Sequence, residues 1–141
     1  MLPLNLNLTM WAEWEDTSGE VIELRPVQVK FRYRSDDPFA VLLDFAVGAE
    51  QWVRWEIARD LLAAGLMRDS GDGDVYVAPD SDLPWRVWLT VSSPTGVALF
   101  AFHRPDLESA LAQTEMLVPS GSESAQIDWN RELHLLGGEA A

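Results

Sequence analysis

Two histidines, one aspartate and glycine run and a set of paired tryptophans are the groupings in this chain whose types could carry chemistry or recognition. His103 and His134 would be the general bases or metal ligands. Neither stands in a G-x-S-x-G, H-E-x-x-H or comparable motif that would supply a nucleophile or further ligands. They read as a strand-end histidine and a surface-helix histidine. The run Asp69-Ser-Gly-Asp-Gly-Asp74 has the composition of a calcium loop, which needs acidic ligands at positions 1, 3 and 5, glycine at 6 and glutamate at 12. Counted from Asp69, positions 3 and 5 are Gly71 and Gly73, and position 12 is Asp80. The run therefore reads as a glycine-rich turn. Gly71-Asp-Gly73 also lacks the third glycine and the strand-to-helix setting of a dinucleotide loop. With no cysteine, thiol catalysis and thiolate metal sites drop out. No catalytic, cofactor or metal site is expected, and the chain reads as a non-enzymatic protein that works by contact.

Of the seven tryptophans, six form W-x-x-W pairs: Trp11/Trp14, Trp52/Trp55 and Trp85/Trp88. In a regular strand, residues three apart point to opposite faces, so each pair sends one indole to each side of a sheet. Bulges or covering helices would absorb the second set; burial by a partner or a second subunit is the stronger reading, because exposed aromatic clusters mark contact sites. Trp11, Trp52 and Trp85 are the candidate partner contacts.

Twenty-three carboxylates against ten Lys and Arg give a net charge of -13, which repels phosphate backbones and anionic lipid. The cations Lys30, Arg32 and Arg34 alternate along one strand face and form the one stripe that would track a nucleic acid. Pairing across the sheet with Glu13, Glu15, Asp44 and Glu56 is the stronger expectation.

The elements that would position these residues follow from periodicity. Leu8, Met10, Ala12 and Trp14 alternate with polar neighbours, Val21 to Arg34 continues as a strand with Pro26 as a bend, and Phe39 to Val47 and Gln51 to Ile57 complete an antiparallel four-strand meander. Ala58 to Met67 changes to a helical period, with Gly65 placed as a C-terminal cap. Val75 to Ala78, Arg86 to Ser92 and Val97 to His103 read as strands, the last two joined by the turn Ser93-Pro-Thr-Gly96. Pro105 opens a helix with Leu107, Ala110, Leu111 and Thr114 on one face. Asp128 caps a final helix with a Trp129, Leu133, Leu136 stripe. At 141 residues and 48% apolar composition, the chain is expected to form a single domain over 1–141, an α+β fold of antiparallel sheets with helices in two strand-then-helix halves. No basic leader and no apolar run of about 20 residues is present, so a soluble, non-exported protein without an integral membrane segment is expected.

The stretches Asp37-Pro-Phe-Ala-Val41, Gly48-Ala-Glu50 and Trp55-Glu-Ile-Ala-Arg-Asp-Leu-Leu-Ala-Ala-Gly-Leu66 resemble the SsgA-like family of actinomycete sporulation and cell-division regulators. Gly71-Asp-Gly-Asp-Val75, Ser92-Ser-Pro-Thr-Gly96 and Val118-Pro-Ser-Gly-Ser-Glu123 extend the resemblance, in order, over roughly residues 29 to 136. Ile57, Arg68-Asp69 and the tryptophan-rich start through Val27 depart from the family pattern, and the SsgB-like members are nearer than the SsgA-like ones. The resemblance implies a cytoplasmic, non-enzymatic protein at division septa that helps place the tubulin-like protein FtsZ, works with an SsgA-like paralogue and forms a Whirly-like homotrimer. Because single-strand nucleic-acid binders share that fold, nucleic-acid binding is the alternative, which the acidic charge disfavours. Glu123, in a polar loop matching the family's Val-Pro-x-Gly-x-Glu pattern, is expected to be exposed and to touch a partner.

Overall fold

A computed structural model of the chain describes residues 3–15, 18 and 21–126. The alternating residues of the N-terminal third build a meander of long strands, β1 (Pro3–Glu15), β2 (Val21–Arg34), β3 (Asp37–Gly48) and β4 (Gln51–Ala58), followed by the short helix α1 (Arg59–Gly65). A second set follows: β5 (Ser70–Asp72), β6 (Val75–Pro79), β7 (Arg86–Ser93), β8 (Gly96–His103), helix α2 (Arg104–Leu117) and a 3-10 turn, Glu123–Gln126. The two strand-then-helix halves are present as expected. They merge into one eight-stranded antiparallel sheet of order β4-β3-β2-β1-β8-β7-β6-β5. The final helix read at Asp128 and the position of His134 lie outside the described residues.

The join between the halves is short. β1 pairs with β2 along its whole length, but with β8 only at Trp11↔Ala101 and Ala12↔Phe100. Period-two alternation gives the sheet two unlike faces. Met10, Val29, Phe31, Tyr33, Val41, Leu43, Phe45, Ile57, Val77, Leu89 and Phe102 point inward and are almost fully buried, with Leu62 of α1 and Leu107 and Ala110 of α2 packed over them. Each buried Val, Leu, Ile, Phe or Met side chain among them contributes about 1.5–3 kcal/mol on leaving water. Phe45 of β3 and Phe100 of β8 stack with ring centroids 4.4 Å apart. In a flat sheet three strand spacings would hold these strands about 14 Å apart. The sheet therefore curls, so that its inner face closes on itself across the join.

Several local expectations are corrected. Pro26 does not bend β2: it pairs with Trp11 in an unbroken register, in a stretch beyond the last β2–β3 pair, Val29↔Phe45. With β2 paired on one side only there, a residue lacking an N–H is tolerated. Gly65 is not a left-handed cap, since the C-cap is Leu66 at φ −70°. Its need for glycine is steric: a Cβ there would stand 2.1 Å from Val77 Cγ1, so α1 lies directly on β6. Arg104 of α2 donates to the Leu66 carbonyl and so caps α1 from outside. The run 69–74 is a turn as read, but a tighter one, a hairpin with Asp72 paired to Val75 and Gly73 at φ 63°. It also creates β5, a short strand beyond the turn expected from the sequence.

Candidate interaction surface

The outer face of the sheet carries the side chains that β-alternation turns away from the core. At the β1–β8 join, Trp11, Leu24, Ala101 and His103 lie on this face and, with Trp85, Arg86 and Phe102, line a cleft of about 350 Å³. Trp85 is 53% exposed. It precedes β7, so the opposite-face argument does not apply to its pair. Trp88, within β7, sits opposite Ala101, which in turn sits opposite Trp11, and so shares the outer face. Trp88 is held: its indole N–H donates to Asp80 Oδ2 at 2.7 Å and the Arg86 guanidinium lies 5.1 Å from its ring centroid. Asp80 also accepts from the Leu83 and Asp82 amides, an Asx-type turn, and these N–H donors with the Trp88 indole hold its carboxyl below its ordinary pKa. One indole of the pair is thus locked into the sheet while its neighbour stands half in solvent.

Further across the same face, β2, β3 and β4 present a second patch. Asp44, 6% exposed, accepts from Arg54 Nε at 2.7 Å and from Arg32 Nε at 2.9 Å; the Arg54 bond, then that of Arg32, hold its carboxyl below its ordinary value against the opposing effect of burial. The expected cross-strand pairing is therefore made by Arg32 and Asp44. Arg34 turns instead to Asp36 in its own hairpin, at 2.9 Å. Lys30 sets its ammonium 4.5 Å from the centroid of Trp52, which is 45% exposed. The Trp52/Trp55 pair behaves as alternation demands: Trp52 stands outside and Trp55 packs against the core. The side chain of Trp14 lies outside the described residues.

Glu123 belongs to neither patch, and its expected exposure is corrected. It is 6% exposed, and its Oε2 accepts from Arg59 Nη2 at 2.9 Å. Arg59, itself 2% exposed, also donates to the carbonyls of Val118 at 2.7 Å and Thr114 at 3.3 Å, with its guanidinium 5.3 Å from the Tyr33 ring. The Arg59 bond, followed by backbone N–H donors including Gly121, holds the Glu123 carboxyl below its ordinary value. Arg59 is the residue that sequence reasoning missed here. It joins the start of α1 to the end of α2 and the loop beyond, so Glu123 positions a loop by an internal ion pair.

Of the sequence-derived candidates, Trp11 and Trp85 come together in one cleft. Trp52 lies three strands away, about 14 Å by strand spacing. His103 sits with Nδ1 3.7 Å from Asp106 Oδ1 and meets no second histidine among the described residues. No group of three His, Cys, Asp or Glu able to hold a metal occurs among the described residues, and no described helix is long and apolar enough to cross a membrane.

Over the described residues the architecture is a curled eight-stranded antiparallel sheet with two helices, carrying the exposed indoles of Trp52 and Trp85. The chain belongs to the SsgA family, described as the Streptomyces sporulation and cell division protein SsgA, whose family model matches residues 27–123. It is 45% identical over 113 residues to the sporulation-specific cell division protein SsgB of Streptomyces coelicolor, covering 79% of this chain and 82% of that protein. SsgB of Frankia casuarinae is 44% identical over 112 residues, covering 79% and 78%. Among solved structures, the SsgA-like sporulation-specific cell division protein of Thermobifida fusca superposes with a TM-score of 0.81 at 32% identity, covering 95% of each chain. An SsgB structure, from work on longitudinal division in Streptomyces coelicolor, gives 0.79 at 36% identity, covering 89% of this chain and 95% of that one.

Proposed function

We propose that the chain is a non-enzymatic regulator of sporulation-specific cell division that recruits or positions FtsZ at septation sites, in concert with an SsgA-like paralogue and as a Whirly-like homotrimer. The observation that carries this reading is the outer-face cleft, where Trp11 and Trp85 stand together beside Leu24 with half of Trp85 in solvent. Tryptophans in such settings dominate the energetics of protein contacts, because a rigid indole buries a large area at low entropic cost. The names of the relatives, all sporulation-specific cell division proteins, support the cellular context. The nucleic-acid alternative gains nothing from the geometry, since Arg32 and Arg54 are committed to Asp44.

The test is localisation. A fluorescent fusion is expected to form regularly spaced foci at future septa during sporulation and to become diffuse when FtsZ is depleted. Foci that persist unchanged without FtsZ, or a fusion that never marks septa, would sink the reading. Light scattering at micromolar concentration gives the trimer mass if the oligomeric part is right, and a monomer mass if it is wrong.

A further inference from the structure

β4 is an edge strand: it heads the sheet order, and no described strand pairs with its outer side. It is also mostly exposed along its eight residues. An open edge offers a row of unpaired backbone N–H and C=O groups, a template for one more strand. Natural edges are usually blunted by proline, bulges or short length; this one has eight residues and no proline, and its register with β3 is unbroken from Trp52 to Ala58, the one irregularity lying between Ala46 and Gly48.

The two flanks of that edge differ in chemistry. On the outer side stand Arg54 and Trp52, with the Lys30 ammonium reaching over the Trp52 ring. Lys30 has no ion pair among the described residues, and Arg32 and Arg54 share the single carboxylate of Asp44. Counting Glu56, three cations face two carboxylates here, on a chain whose net charge is -13. On the inner side the core face runs out, without cover from any described residue, into a groove of about 500 Å³ lined by Val47, Val53, Trp55, Val97 and Phe100. Val47, Val53 and Val97 are 55%, 44% and 71% exposed. An added strand would alternate its side chains between these flanks.

We propose that the β4 edge is a docking site for an extended segment of a partner protein whose residues alternate acidic and apolar, taken up by strand addition. The acidic side chains lie outside, toward the Lys30 ammonium over Trp52; the apolar ones enter the groove beside Val53 and Trp55. Backbone pairing supplies affinity, and the unlike flanks supply register, because a one-residue slip would turn the acids into the groove. This deepens the recruitment reading and rests on it, naming the chemistry of the segment that the division partner would offer.

The test uses the whole chain and a fluorescein-labelled peptide of about nine residues alternating aspartate and valine. Two controls have the same composition: one with the residues in blocks, one N-methylated on alternate amides. Anisotropy should show saturable binding of the alternating peptide and none of either control. Val53→Asp, which sets a charge in the groove, should weaken binding at least about tenfold. Lys30→Glu, which breaks no ion pair, should weaken it about two- to fivefold and flatten its salt dependence. Unchanged melting curves would show that both variants fold. Equal binding of the blocked or N-methylated peptide, no saturable binding, or affinities unchanged in both variants would overturn the proposal. So would a rise in mass, abolished by Val53→Asp, showing that a second copy occupies the edge. Because the peptide contains no division protein, its failure leaves septal localisation to judge recruitment, and failed localisation leaves the peptide result standing.

Discussion

Replacing Arg59 by methionine removes one guanidinium and, with it, the bonds to Val118, Thr114 and Glu123 that tie α1 to the end of α2. Methionine fills much of the volume, so the loss is electrostatic rather than a cavity. Breaking a buried ion pair from one side costs about 3–5 kcal/mol, because the remaining charge loses its partner and cannot regain water. For a chain of this size each kcal/mol moves the melting temperature by about 2–4 °C, so R59M should melt roughly 10 °C lower. Urea titration at pH 7 should show the midpoint falling with an unchanged slope. Arg59 Nε is buried and makes no hydrogen bond among the described residues, and a buried ion pair is often replaceable by apolar groups of similar volume. The double replacement R59M/E123L, apolar on both sides, should therefore recover to within about 1–2 kcal/mol of the parent. A single R59M variant within about 1 kcal/mol of the parent would refute the claim that this pair holds the loop.

Gly65→Ala should destabilise by about 3 kcal/mol in the same titration, because its Cβ would overlap Val77 and α1 would have to lift from β6. Glu50 adopts φ 59° in the β3–β4 turn, so Glu50→Asn should raise stability by about 0.5 kcal/mol, read as a higher melting temperature. Acid sensitivity follows from Glu123, Asp44 and Glu115, each held below its ordinary pKa, mainly by hydrogen bonds from Arg59, Arg54 and Ser120 respectively. A lowered folded pKa stabilises above the unfolded value and is lost as pH falls through the folded one. Stability should therefore be level from pH 7 to about 5 and fall steeply below about 4.5. A melting temperature unchanged between pH 6 and 3 would contradict these assignments.

Much of the sheet was legible because period-two patterning is a local signal: Leu8, Met10 and Ala12 against Thr9, Trp11 and Glu13 reports β1 and its faces without any tertiary knowledge. The Ser93-Pro-Thr-Gly96 hairpin was equally readable from turn chemistry. Features set by distant partners were not. Glu123 sits in a polar loop and so reads as exposed; only the fold carries Arg59, 64 residues earlier, to its carboxylate. Gly65 looks like a cap because nothing local announces Val77 above it. Trp85 was assigned to a strand face by its spacing from Trp88, yet it stands one residue before β7, where alternation no longer applies. In the candidate surface the residue types were visible in advance. Their grouping into a Trp11–Trp85 cleft required the brief β1–β8 join that no local pattern marks.

The central claim, that an outer-face tryptophan cleft docks the division machinery, is most directly tested by co-sedimenting the purified chain with FtsZ filaments. The parent protein should pellet saturably with the filaments, and Trp85→Ala, an exposed-site change that leaves the melting temperature intact, should weaken that association at least about tenfold. Absence of co-sedimentation by the parent chain, or equal co-sedimentation by the Trp85→Ala variant, would contradict the account.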